Sequence, residues 1–155
     1  MFIILSRSYY DFIFKPDYYW HPFCKNGIMD DNYEKKLNIL VIDPDEDFAR
    51  DVKLYLDDSY HVQIRPTIDQ FDYTIILNKI DVIIIAIDLI DNDFLNLIEQ
   101  LRNNHTNIKI IIMYTYISSD KEIEQKMMSI TDDMIAKPFD VALLKDKVDC
   151  LIISV

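Results

Sequence analysis

The chain has 155 residues, of which 50% are hydrophobic and 28% are charged, a composition typical of a folded globular domain rather than of a disordered segment. Its formal net charge of −11 opposes direct contact with nucleic-acid phosphates or anionic lipid, both of which attract clustered lysine and arginine. No apolar run approaches the roughly 20 residues that cross a bilayer, and no basic leader precedes the apolar residues 2–5, so we expect a cytoplasmic protein without a membrane segment.

The first 36 residues differ in composition from the rest of the chain. They carry five basic and five acidic side chains, so the whole excess of negative charge falls in residues 37–155. They also hold eight aromatic residues between positions 9 and 23, without a sustained helical or strand period. We therefore predict an aromatic-rich N-terminal extension over residues 1–36, of unknown structure, and one domain over residues 37–155.

From residue 37 onward, strand patterns alternate with helical patterns. Continuous apolar runs predict strands buried on both faces, whereas the alternation over residues 60–64 predicts a strand at an edge of the sheet. Thr67 is expected to cap the second helix. The predicted elements, in order, are strand 37–42, helix 45–57 with an apolar face of Phe48, Val52, Tyr55 and Leu56, strand 60–64, helix 67–78, strand 82–87, a helix around 94–101, strand 108–113, a helix around 123–130, strand 134–136 and a helix around 141–151.

Five strand-helix units predict an α/β fold, a doubly wound parallel sheet with helices on both faces and right-handed crossovers. In such folds, ligand sites lie at the carboxyl ends of the strands. The residues at or just past four of these ends are Asp43, Ala86 to Asp88, Thr115 and Lys137. They form the candidate functional site.

This set of residues resembles the receiver domain of two-component response regulators. The resemblance rests on the sequence LNILVID at 37–43, on Met113-Tyr114-Thr115 and on Ile135-Ala136-Lys137-Pro138-Phe139, and it covers about residues 37–153. It implies a flavodoxin-like fold with the strand order 2-1-3-4-5. In that family, an acidic pair after the first strand holds a divalent cation, an aspartate after the third accepts phosphate, a Thr or Ser after the fourth contacts the phosphate, and a Lys after the fifth pairs with it.

The chain departs from this pattern at the phosphate acceptor. The family places its acceptor five residues after one aspartate and seven before another, and Asp81 and Asp93 provide that frame around Ala86. An alanine methyl group cannot attack a phosphoryl donor. The second acid of the cation-binding pair is also absent, because Pro44 follows Asp43, and this should weaken any binding of Mg²⁺.

The residues that transmit phosphorylation in the family are altered as well. Its aromatic switch position in the fifth strand falls at Met134, and the proline and glycines of its flexible loop fall at Ile90, Asp91 and Phe94. The resemblance therefore implies a pseudo-receiver, which is not an enzyme and needs no cofactor. We expect it to bind other proteins of bacterial signalling, or a second copy of itself, independently of phosphorylation.

Purely structural roles would also explain several of these residues. Lys137 is expected to pair with Asp43, with Thr115 in a purely structural position, and the acids at 45–47 are expected to complement a helix dipole rather than to bind metal. The weak candidates for Mg²⁺ are Asp43 and Asp88, and solvent is the expected partner of Asp88.

In the alternative function, the domain still accepts phosphate. In it, Asp88 accepts phosphate from a histidine kinase through Mg²⁺, assisted by Asp43, Thr115 and Lys137. This assignment leaves 27 residues to Thr115 and 49 to Lys137, intervals shorter than is usual in the family. A small-metabolite site is a third reading, but the chain has one glycine and therefore no glycine-rich phosphate loop.

Overall fold

The computed structural model describes residues 36–69 and 71–153, in which five strands alternate with five helices. The elements are β1 Asn38–Ile42, α1 Glu46–Leu56, β2 His61–Arg65, α2 Phe71–Asn78, β3 Val82–Ile90, α3 Asn92–Asn104, β4 Lys109–Ile117, α4 Lys121–Ile130, β5 Asp133–Ala136 and α5 Val141–Ile153. Within this part of the chain, no helix is long and apolar enough to cross a membrane. The predicted extension lies outside the described residues except for its last one, so the boundary at residue 36 stays a prediction.

The strands form one parallel sheet in the order β2-β1-β3-β4-β5, the order that the resemblance to receiver domains implies, and β2 lies at an edge, as its alternation predicted. β3 pairs with β1 as far as Ile42↔Ile85 and with β4 as far as Ile90↔Ile117. Because the strands are parallel, their carboxyl ends share one side of the sheet, called here the carboxyl edge. The candidate site residues lie toward this edge, in the second halves of β3 and β4 and in the loops that follow β1 and β5.

Helices cover both faces of the sheet, which explains why the central strands are apolar on both faces. On one face, α1 and α5 contribute Ala49, Val52, Leu144 and Val148 to the core. On the other, α2, α3 and α4 contribute a second cluster, whose helical members are Ile75, Phe94, Leu95, Ile98, Leu101, Ile123 and Met127. These two layers fix the positions from which the carboxyl-edge residues project.

Three local predictions were wrong. The second helix begins at Phe71, so Thr67 does not cap it. Tyr55, expected on the apolar face of α1, is 47% exposed, because Ala49, Val52 and Leu56 form the buried stripe instead.

The third error bears on the candidate site. β3 continues to Ile90 and β4 to Ile117, so Asp88 and Thr115 lie within paired strands rather than past their ends. The added pairs Leu89↔Tyr116 and Ile90↔Ile117 extend the sheet at the carboxyl edge. We call this paired segment, residues 87–90 with 114–117, the β3–β4 extension.

Arg102 and Asp132 form a charged brace at the end of the sheet opposite the carboxyl edge, next to the starts of β4 and β5. The Arg102 guanidinium donates to the carbonyls of Ile130 and Ile108 at 2.9 and 2.8 Å, and to Asp132 Oδ2 at 2.6 Å. The Ile110 N–H donates to the same carboxylate oxygen at 2.8 Å. Burial raises the pKa of Asp132, but the hydrogen bonds from Ile110 and Arg102 outweigh it, so the pKa lies below its ordinary value of 3.8.

Candidate functional site at the carboxyl edge

An ion pair joins the residues that follow the first and last strands. Lys137 Nζ lies 3.0 Å from Asp43 Oδ2, and Asp43 is only 1% exposed. The Asp45 N–H donates to the other carboxylate oxygen, Asp43 Oδ1, at 2.9 Å. Both oxygens of this buried carboxylate are therefore hydrogen-bonded within the chain, as the expected pairing of Asp43 with Lys137 requires.

Aromatic rings hold the lysine in this position. Lys137 Nζ lies 5.0 Å from the centre of the Phe48 ring, within the range of a cation–π interaction. The Phe48 ring packs edge-on against Phe139, with 5.8 Å between ring centres. The Lys137 N–H donates to the carbonyl of Tyr114 at 2.7 Å, which fixes the backbone after β5 against β4. The ammonium group is thus held by a carboxylate and a ring rather than left free for an incoming anion.

The acceptor position is part of the core. Ala86 is 8% exposed, lies opposite Met113 in the β3–β4 ladder and belongs to the cluster under α1 and α5. The Ile42↔Ile85 pair places it next to Asp43 across β1 and β3. The residue in the position of the family's phosphate acceptor therefore offers a methyl group and no nucleophile.

The two remaining polar candidates contact each other. Thr115 Oγ1 donates to Asp88 Oδ1 at 3.5 Å, at the long limit of a hydrogen bond, and Asp88 is exposed. Lys137 is bonded to Asp43 instead. The structure therefore divides the candidate residues into two pairs, Asp43 with Lys137 and Asp88 with Thr115, rather than gathering all four around one centre.

The acids after β1 serve the helix that follows, in agreement with their predicted role. Asp45 caps α1 by accepting from the N–H groups of Asp47 and Phe48, each at 3.1 Å. Glu46 and Asp47 bind the Arg50 guanidinium. In the described part of the chain, no group of three or more His, Cys, Asp or Glu side chains is placed to hold a metal ion. Binding of Mg²⁺ by Asp43 or Asp88 stays an untested prediction.

A small groove opens beside Asp43. Its volume is about 230 Å³, and its lining residues are Asp43, Glu46, Ala49, Ile64, Arg65 and Pro66. Sites for drug-sized ligands have volumes of about 300–1,000 Å³. The groove therefore gives little support to a metabolite site.

The positions of the family's flexible loop are occupied here by two buried core residues and a helix cap. Ile90 is fully buried at the end of β3, and Phe94 is 7% exposed in the core. Between them, Asp91 caps α3 by accepting from the Phe94 N–H at 3.0 Å. Met134, at the switch position, is half-buried against the core under α3 and α4. The proline and glycines of the family's loop are thus replaced by Ile90, Asp91 and Phe94.

One feature of this edge was missed by the sequence reasoning. Leu89 and Tyr116 face each other in the β3–β4 extension and are 46% and 67% exposed. The signal was present, because apolar residues recur at Leu89 and Ile90 and at Tyr116 and Ile117, beyond the continuous apolar runs. Ending the strands at their continuous apolar runs concealed it.

Comparison with known proteins identifies the fold and the family, although no family model matches the chain. The chain is 33% identical over 112 residues to the transcriptional regulatory protein KdpE of Staphylococcus aureus, covering 71% of this chain but only 47% of that protein. It therefore spans about half the length of this curated relative.

Two crystal structures show the same architecture. A two-component response regulator from Clostridium difficile is 30% identical, covers 76% of this chain and 96% of its own, and superposes with a TM-score of 0.63. A response regulator from Thermotoga maritima, 24% identical and with a TM-score of 0.63 over 76% of this chain and 98% of its own, shares the fold. With this fold, this strand order and this identity to the clostridial protein, the chain belongs to the response regulator receiver domains of two-component signalling.

Proposed function

We propose that this receiver domain acts as a phosphorylation-independent protein-protein interaction module in two-component signalling, and not as an enzyme. The observation that carries the proposal is Ala86, a buried alanine at the acceptor position and next to Asp43. Phosphoryl transfer to a receiver needs a carboxylate nucleophile, and an alanine supplies none.

Two further features support the proposal. The Lys137 ammonium is already paired with Asp43 and stacked on Phe48, so its charge is compensated without phosphate. The switch loop of the family is replaced by the buried Ile90, the cap Asp91 and the core residue Phe94. A segment packed in this way has little freedom to rearrange, which favours one constant binding surface over a switched one.

The decisive test is incubation with Mg²⁺ and acetyl phosphate, followed by intact-mass analysis. We expect no phosphoryl adduct on this chain under conditions in which a receiver with an aspartate at the acceptor position is labelled. A stoichiometric, acid-stable and hydroxylamine-sensitive adduct would contradict the proposal, because that chemistry identifies an acyl phosphate.

The second candidate function is phosphate acceptance on Asp88 from a histidine kinase, with Mg²⁺. Its specific support is the Thr115 hydroxyl 3.5 Å from an exposed Asp88 carboxylate. Asp88→Asn should then abolish an adduct, whereas the matched variant Asp93→Asn, an exposed acid in the first turn of α3, should retain it. Labelling that is equal in both variants would reject Asp88 as the acceptor.

The partners proposed for this module are proteins of bacterial signalling, either a different protein or a second copy of this chain. The net charge of −11 argues against nucleic acid as a direct partner. We propose the cytoplasm as the place of action, since two-component receivers meet their partners there.

A further inference from the structure

The outer side of α2 is apolar. Thr74 and Ile75 are buried, and Ile75 belongs to the core cluster that α2 shares with α3 and α4. Tyr73, Ile76 and Leu77 are instead 66%, 68% and 59% exposed. Because residues three and four positions apart are neighbours on a helix surface, these three side chains form one continuous area, called here the α2 patch. A contiguous exposed apolar area of this kind marks a surface that contacts another protein.

The charge of α2 suits contact with a second copy of the chain. Asp72 is the only charged residue among the eight of this helix, whereas each of the other four helices in the described part of the chain carries at least three. The net charge of −11 makes two copies repel each other over most of their surfaces. Contact through α2 brings them together with few like charges opposed.

The two ends of α2 carry opposite charges. Asp69 lies two positions before the helix, Lys79 directly follows it, and both residues are exposed. In a two-fold contact between antiparallel α2 helices, the start of each helix lies beside the end of the other. Asp69 of each copy then approaches Lys79 of the other copy, and the symmetry forms this pair twice. Opposite charges at the rim of an interface fix its orientation and register.

We propose that the α2 patch is the surface through which two copies of this domain associate, with their α2 helices antiparallel about a two-fold axis. In this arrangement Tyr73 of one copy packs against Leu77 of the other, and Ile76 lies close to its own counterpart. The patch consists of three side chains, so the association is weak and reversible, as is typical of interfaces below about 1,200 Å². The inference rests on the proposed function of a binding module and specifies one of its partners.

Sedimentation equilibrium of the full chain measures the dissociation constant of the dimer. We expect the wild-type chain to dimerise reversibly, with a constant below about 1 mM. Ile76→Asn/Leu77→Asn should weaken the dimer about tenfold or more, as truncation of central apolar contacts does. The matched variant Leu54→Asn/Tyr55→Asn replaces an apolar pair on α1 that is 74% and 47% exposed, and it should change the constant less than about twofold.

Charge reversals test the antiparallel arrangement. Lys79→Glu opposes two like charges at each end of the contact and should weaken the dimer about threefold or more at low salt. Asp69→Lys/Lys79→Glu restores the opposite pairs with their signs exchanged, and it should return the constant to within about twofold of the wild-type value. Each variant is first checked for an unchanged circular dichroism spectrum and melting temperature.

Three outcomes would overturn the inference: a wild-type chain that stays monomeric up to about 1 mM, equal losses in the α2 and α1 variants, or a double charge reversal that is as weak as Lys79→Glu alone. A monomeric chain that takes no phosphate would leave the proposed function in place, with a different protein as the partner. Labelling by acetyl phosphate would contradict the proposed function whatever the oligomeric state. The two failures are therefore distinguishable.

Discussion

Lys137 Nζ and Asp43 Oδ2 lie 3.0 Å apart, although 94 positions separate the two residues in the sequence and two strands separate β1 from β5 in the sheet. The contact joins the loops after β1 and β5 at the carboxyl edge, with β3 and β4 lying between these two strands. Asp43 is 1% exposed, so water does not reach its carboxylate to replace the lysine when Lys137 is removed.

Lys137→Met should lower the free energy of unfolding by about 3 kcal/mol, because it leaves a buried carboxylate without its cation. Asp43→Asn/Lys137→Met should recover much of that loss, since neither charge then remains. Urea denaturation measures both. Arg50→Met removes two exposed ion pairs on the surface of α1, with Glu46 and Asp47, and should cost less than about 1 kcal/mol. A Lys137→Met loss no larger than that of Arg50→Met would show that the buried pair does not behave as described.

Ala86→Asp should destabilise the protein in the absence of divalent cations, because the new carboxylate lies next to the buried Asp43. Millimolar Mg²⁺ should then raise the melting temperature of this variant, since the cation compensates two adjacent negative charges. Ala86→Asn has the same shape without the charge and should not respond to Mg²⁺. Equal responses of the two variants would mean that residue 86 does not face the Asp43 carboxylate.

Ile90→Ala should reduce the free energy of unfolding by about 3 kcal/mol, the usual effect of opening a cavity in a core. Leu89→Ala, one residue earlier in the same strand, should cost less than about 1 kcal/mol because Leu89 is 46% exposed and Ile90 is fully buried. The comparison tests whether β3 continues through the positions of the family's loop. Similar losses from both substitutions would place this segment outside the sheet.

Asp132 should make the stability sensitive to acid. Burial raises its pKa, but the Ile110 N–H and the Arg102 guanidinium lower it more, so the folded state binds the proton more weakly than the unfolded chain does. The contribution of Asp132 is therefore fully present above the unfolded value of 3.8 and is lost as the pH falls through the lower, folded value.

Replacement of Asp132 by asparagine should thus reduce the free energy of unfolding by about 2 kcal/mol at neutral pH, as the loss of a charged hydrogen bond does. The difference between variant and wild type should shrink as the pH falls below 3.8. Chemical denaturation across the acid range measures this. A difference that stays constant with pH would show that the charge of the Asp132 carboxylate does not stabilise the fold.

The alternation of strands and helices was predictable because apolar periodicity is set by burial, which this fold imposes on nearly every element. The same reasoning placed Asp43 and Lys137 at strand ends. Their ion pair was anticipated separately, as the structural explanation for two residues that match the receiver pattern. Reasoning from apolar periodicity failed for residues that lie in a paired strand but are not buried. Asp88 and Thr115 are polar and looked like loop residues, but they lie within strands because pairing resumes after them at Leu89↔Tyr116 and Ile90↔Ile117.

The brace at Arg102 could not be predicted either. Its guanidinium donates to two carbonyls and a carboxylate from two separate segments, residue 108 and residues 130–132, and such convergence depends on tertiary geometry rather than on local pattern. Thr67 shows the opposite limitation. A good cap residue lies there, but the helix begins only at Phe71, because the propensity of one side chain is a weak guide to where a helix starts.

The length of the β3–β4 ladder has a consequence for hydrogen exchange. The two central strands pair at eight positions, and Ile83, Ile84, Ile110, Ile111 and Ile112 are fully buried within them. Amide protons in the middle of this ladder should be the last to exchange with deuterium, opening only in global unfolding, whereas those of the edge strands β2 and β5 should exchange through smaller local openings. Ala86, opposite Met113, lies inside this ladder, so the altered acceptor position belongs to the part of the sheet that opens last.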